Sequence, residues 1–273
     1  MGALVVDVTP LRASRGFRWL FAGQLGSHLA REILVVAVPY QVYVLTESSL
    51  LVGMVGLVQI APLLVCSIVG GTAADAFDRR RVLMIVMSLM ALTSAGLALN
   101  SGADTRLWLI MVLMAANAGL TGVQAPTRTA IIPALVSRDQ LPSAFALNQT
   151  LSQTAHVAGP AAAGILIAEF GLGLTFWVAA AACIFTGLVL IPLGSQRPQE
   201  AAGRVTVGAT VEGWRYLRSV PLLQQVMTID LIAMVFGMPR ALFPVIGTGI
   251  LGGDAATVGL LHTATGIGAL LGA

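Results

Sequence analysis

The sequence predicts an all-α membrane protein that crosses the bilayer repeatedly, and three observations carry that expectation. Apolar residues make up 57% of the chain and charged residues only 10%, against roughly 45–50% and roughly 25% in a soluble domain. Apolar runs of about 18 residues or more recur between short polar breaks, each long enough as a helix to cross a hydrocarbon layer of about 30 Å. The third observation is where the charge sits. All 15 basic residues are arginine, and they collect in alternate breaks, as cytoplasmic loops do under the positive-inside bias.

Eight apolar segments follow in order, at 17–45, 50–74, 82–100, 107–127, 141–168, 174–194, 222–248 and 256–273. The first is much longer than the apolar core of a secretory signal and lacks a small-residue cleavage pattern, which makes it an uncleaved span. The N-terminal stretch and the breaks after the second, fourth and sixth segments hold 12 arginines, Arg128 and Arg138 among them, whereas the other breaks hold only Arg106. The N-terminus is therefore expected in the cytoplasm. The longest break ends in "VEGWRYLRSVPLL", where Trp214, Leu217 and Val220 or Pro221 share one side of a short helix beside Arg215 and Arg218. Such a helix lies along the inner membrane surface. It divides a six-helix bundle at 1–195 from the start of a second bundle at 222–273, with 196–221 as the linker. The last segment halts at "GIGALLGA" without a polar exit, so the sequence reads as the front part of a longer protein. Pro39 followed by Val52-Gly53, and Pro244 followed by Val258-Gly259, form a faint internal echo of the kind repeated bundles leave. Cys66 and Cys183 each fall inside an apolar segment with no paired or histidine-flanked spacing, which predicts inert buried thiols.

The break "GGTAADAFDRRRVLM" at 70–84 gathers Asp75, Asp78, Arg79, Arg80 and Arg81 between two greasy runs. A loop at an anionic membrane surface favours arginine, and that alone accounts for the basic run. Asp75 is different, because a carboxylate at the C-terminal end of a helix gains nothing from the dipole. Gly71, Asp75 and Arg79 to Arg81 resemble the signature turn of the major facilitator superfamily, with Ala76 and Asp78 departing from its pattern. Further stretches, "FRWLFAGQLGS", "VAVPYQVYVLT", "PTRTAIIPALVSRDQLPSAFALNQ" and "HVAGPAAAGILIA", resemble its branch of enterobactin exporters and macrolide efflux proteins. The resemblance implies two six-helix bundles around a midplane cavity, with the six-helix N-terminal bundle and the first two helices of the second present here. It also implies that Asp75 latches the two bundles on the inner side.

Ionisable groups inside the hydrocarbon zone are costly and mark candidate sites. His28, Arg31 and Glu32 fall near the middle of the first span, and their spacing puts His28 on one face with both neighbours. Either Glu32 pairs with Arg31 and merely stabilises the bundle, or the cluster handles protons or substrate. Asp230 and Arg240 lie in the seventh segment, ten residues apart, about 15 Å along a helix and too far to pair with each other. In the fifth segment Gly159, Pro160 and Gly164 resemble the exporters' Gly-Pro element, and Pro160 leaves the carbonyl of His156 without its helical donor. Packing explains that element on its own; a hinge with His156 facing the path is the alternative. The fourth segment carries Asn117 and Gln124 and no arginine within 107–127.

No Walker loop, GxGxxG after a strand, HExxH or GxSxG is present, so no enzyme chemistry, cofactor or metal is expected. The resemblance implies a secondary transporter of the bacterial inner membrane. Its partners would be protons, lipid and a small molecule, either a siderophore of the enterobactin type or a drug; nucleic acid is not among them. Arg31 and Arg240 would favour an anionic cargo. A non-transporting membrane receptor or scaffold is the rival from another class.

Overall fold

In the computed structural model, residues 7–102, 104–197, 218–236 and 240–271 are described. Among them the ordered elements are helical. α1 (Thr9–Ala13) is a single short turn, followed by α2 (Arg15–Thr46), α3 (Ser49–Ala76), α4 (Arg79–Leu99), α5 (Leu107–Leu135), α6 (Leu141–Val189), α7 (Pro221–Phe236) and α8 (Ala255–Leu271). α6 is two helices across a sharp bend at Gly171, whose φ of 75° and ψ of 172° suit glycine and little else. Its limbs, 141–170 and 172–189, match the fifth and sixth apolar segments of the sequence.

Helix starts follow ordinary capping chemistry. Ser14 accepts from the N–H of Phe17 at 3.1 Å and Ser48 from that of Leu51 at 3.4 Å, each occupying an orphan donor of the first turn. Asn100 closes the loop before α5 by accepting from the N–H of Arg106 and donating to its carbonyl. Among the described residues, five helices are long and apolar enough to cross a membrane, and the last of these holds both α6 limbs.

Two expectations change. The fourth span does not end at 127: α5 continues to Leu135 through Pro126 and Pro133. Arg128 therefore stands in a helix, where its half-buried side chain is a charged neighbour of His28 on α2. The seventh segment is not one uniform helix. After α7 the described backbone resumes as a 3-10 turn at Arg240–Leu242 and widens into a π-helix at Val245–Ile250. Pro244, which has no N–H to donate, heads that widened turn. The amphipathic stretch around Trp214 and Arg215 lies outside the described residues.

The packing is inverted relative to a water-soluble domain. Leu50, Leu57, Ile68, Leu92 and Ile184 point outward, whereas Gln24, His28, Glu32, Gln41, Asn117 and Gln124 are buried. Lipid rather than water suits that outer surface. The main apolar core joins Ile33, Val36 and Val38 of α2 to Met87 and Leu97 of α4 and to Phe176 and Ala179 of α6; Ala255 and Val258 extend it to α8. A smaller cluster of Phe17, Leu83, Ile131 and Leu190 closes the end near the arginine turn. Cys183 is buried, Cys66 is half-buried, and both are free thiols.

Helices approach closely where side chains are small. A Cβ at Gly122 would lie 2.6 Å from the Leu63 carbonyl oxygen, so α3 and α5 nearly touch there. A Cβ at Gly164 would lie 2.8 Å from the Ala255 carbonyl oxygen, and one at Gly259 would lie 2.6 Å from that of Pro160. α8 thus lies antiparallel on the half of the 141–170 limb that is remote from the arginine turn.

Candidate transport cavity

A cavity of about 320 Å³ opens between α2, α3, α5 and the 240–271 region. Leu34, Val35, Val52, Val55, Leu63 and Met114 make most of its wall apolar, and Gln59, Asn117 and Thr121 add neutral polar groups. Asn117 is held by donating to the Thr93 hydroxyl at 3.0 Å. Among the described residues, two arginines, Arg31 and Arg240, and the imidazole of His262 reach this wall, and no carboxylate does. The structure thus brings Arg31 and Arg240 together although 209 positions separate them. His262 escaped the sequence reading because one histidine in an apolar run gives no pattern. Its ring stands edge-on to Phe243 with centroids 4.7 Å apart, and its Nε2 is buried without a hydrogen-bond partner.

Glu32 turns away from Arg31. Its Oε1 lies 2.7 Å from Nδ1 of His156 on α6, with side chains 5% and 29% exposed respectively. Gly159 makes the seat, since a Cβ there would collide with the Cβ and Cγ of Glu32. Gly159 of the Gly-Pro element thus packs directly against α2, whereas Pro160 and Gly164 face α8. Among the described residues Arg31 has no carboxylate within ion-pair distance. His28 is buried with both ring nitrogens unpartnered, and Arg31, Arg128 and His156 are its charged or titratable neighbours. Arg128 also lines a narrow cleft with Gln24, Ser27 and Gln124, where Gln124 donates to the Ser27 hydroxyl at 2.7 Å.

At the charged turn the geometry assigns a fastening role to Asp78, a residue that departs from the signature pattern. Its carboxylate caps α4 by accepting from the N–H of Arg80 at 3.1 Å. It also accepts from the Ser195 hydroxyl at 2.8 Å and the Gln196 N–H at 3.0 Å. Burial opposes its charge, yet these hydrogen bonds outweigh burial and hold the carboxyl below its ordinary value. Arg80 donates to the carbonyls of Leu190 and Ile191, and Arg79 donates to that of Ala130 at 2.9 Å. Two of the three arginines thus tie the turn to neighbouring chain segments, α5 and the stretch just past α6. Arg81 is exposed and only 3.9 Å from Asp78, a weak contact. Gly71 has open space where a Cβ would stand. The side chains of Asp75 and Asp230 lie outside the described ones.

The polar interior, the outward apolar surface and the long helices define a multi-pass helical membrane protein with a basic cavity between its spans. The chain belongs to the transmembrane secretion effector family of major facilitator proteins, which it matches over residues 6–273. It is 27% identical over 275 residues to the enterobactin exporter EntS of Shigella boydii serotype 4 (strain Sb227), covering 98% of this chain and 65% of the relative. The same exporter of Citrobacter koseri matches with the same identity and coverage. The chain thus spans just under two thirds of the length of these relatives. Among solved structures, a peptide transporter POT with alafosfalin aligns at a TM-score of 0.57 and 20% identity, covering 85% of this chain and 52% of that one. A POT family transporter with 5-aminolevulinic acid gives 0.58 at 14% identity, covering 87% and 51%. These likenesses establish the fold.

Proposed function

We propose that the protein is a secondary active transporter of the bacterial inner membrane that exports a small anionic molecule by alternating access, driven by protons. The observation carrying this reading is the cavity wall, which Arg31 and Arg240 both line with no carboxylate among the described lining residues. Charge developed in an apolar-walled cavity is weakly screened, so such a wall selects anions. A siderophore of the enterobactin type is the cargo, supported by the exporters it resembles. Transport, not catalysis, is the activity.

The apolar majority of the wall favours one second reading, efflux of a macrolide or another drug. Asp75 is proposed as the inner latch between the bundles, with Arg79 to Arg81 at the cytoplasmic face. The test is an exporter-deleted, iron-starved strain supplied with the complete gene. Restored siderophore secretion supports the first reading, and drug resistance without secretion supports the second. Loss of flux of either kind in proteoliposomes would reject transport in favour of a receptor or scaffold.

A further inference from the structure

We propose that Gln24 and Ser27 of α2, together with Arg128 of α5, form a binding site for one small monovalent anion, a halide such as chloride, inside the bundle and apart from the cargo cavity. The inference goes beyond the transport reading and does not depend on the identity of the cargo.

Residue spacing builds the site. Gln24 and Ser27 stand three apart on α2, and Gln124 and Arg128 stand four apart on α5, so each pair shares a helix face. Those faces meet in the narrow cleft, whose other side chains are apolar apart from Thr186. The Thr186 hydroxyl already donates to the carbonyls of Gly23 and Ala182, both at 2.9 Å. Leu83 and Leu190 belong also to the cluster that closes the bundle near the arginine turn, which shields the cleft from that side.

Hydrogen-bonding capacity is left over in this cleft, and most of it donates. Gln24 is 2% exposed, and neither end of its amide has a partner. The Nε of Arg128 is buried without a partner as well. Ser27 accepts from Gln124 at 2.7 Å, and its own hydrogen finds no acceptor among the described residues. With the NH2 of Gln24 turned inward, three donors line the cleft, and no carboxylate is among its described lining residues. An unpaired buried amide is costly, and an uncompensated guanidinium is more so. The charged neighbour of Arg128 is Arg31, a like charge. A water molecule would satisfy hydrogen bonds and leave that charge uncompensated, whereas a halide accepts from all three donors and cancels it where screening is weak. Size sets the class of anion. The cleft has a volume of about 10 Å³, which suits a single water-sized particle, so a monatomic anion fits and sulfate or phosphate does not. Once bound, the ion ties α2 to α5 and stabilises the bundle.

The complete protein in detergent is tested with radiolabelled chloride at fixed ionic strength, gluconate replacing chloride. One ion should be retained per chain, displaced by bromide but not by gluconate or sulfate, and Tm should rise with chloride until the site is filled. Arg128→Gln should lower retention at least about tenfold, as loss of a charge-assisted hydrogen bond does. Gln24→Leu keeps the charge and the side-chain volume; it should also weaken retention, and it decides the matter if Arg128→Gln does not fold. Arg106→Gln, an exposed arginine at the other end of α5, is the control for surface charge. No retention by the wild type overturns the inference. So does wild-type retention in both Arg128→Gln and Gln24→Leu, or retention lost only in Arg240→Ala, which would put the ion on the cavity wall. In crystals grown in bromide, anomalous scattering should place the ion between Gln24 and Arg128, and a water molecule there instead overturns the site. Siderophore secretion plays no part in these measurements, so its failure would reject the substrate reading and leave this result standing.

Discussion

Replacing Gly259 by alanine tests how α8 is held against α6. The new Cβ would stand 2.6 Å from the Pro160 carbonyl oxygen and 3.0 Å from the Cα of Gly164, whereas ordinary contacts begin at 3.4 Å. Both neighbours are backbone, so no side chain can swing aside, and α8 must back away from α6 by about 0.8 Å. A gap of that size forfeits roughly a quarter to a half of each dispersion contact along the seam. Overpacking of this kind costs about 1–3 kcal/mol, which is about a 5- to 150-fold loss of the closed arrangement. Spin labels at Leu45→Cys and Ile250→Cys measure it as a population shift toward the longer distance. Gly268→Ala is the control, because its Cβ meets nothing within 4 Å and it brings the same gain in helix propensity. Identical distance distributions for the two alanine variants would refute the reasoning.

Asp78→Ala should destabilise the protein in detergent by about 2–4 kcal/mol, read as a lower Tm, because a capping carboxylate with three donors is lost. The pH dependence has a definite sign. Since the folded pKa of Asp78 lies below its ordinary value of 3.8, its contribution is complete above the ordinary carboxylate range and disappears as the pH falls through the lower folded value. Asp78→Asn should flatten that acid limb. Arg240→Ala and Arg31→Ala should each weaken enterobactin binding by about 10- to 100-fold in a direct binding titration, as loss of a charge-assisted hydrogen bond does. A neutral macrolide should respond to neither. Gln124→Ala, which removes the bond to Ser27, should lower stability by only about 0.6 kcal/mol.

The long apolar helices up to Val189 and the lipid-facing character were legible because they depend on run length and composition, quantities any window of sequence contains. The arginine turn was legible too, whereas the fastening role of Asp78 was not. Asp75 drew attention by pattern, while Asp78 does its work through Ser195 and Gln196, more than a hundred residues away. That Arg128 lies in a helix beside His28 of α2 was not legible, because a lone arginine past an apolar run gives no sign of what it packs against.

From the sequence alone came the bilayer as solvent, the order of the spans and the expectation of an anion-favouring path, since hydrophobic length and charge placement are one-dimensional properties. The tertiary structure alone decided that Glu32 meets His156 instead of Arg31, that Gly159 and Gly259 admit neighbours at backbone distance, and that His262 joins two arginines around one cavity. Such choices depend on helix rotation and crossing, which set which side chains face each other and which the linear order of residues leaves open.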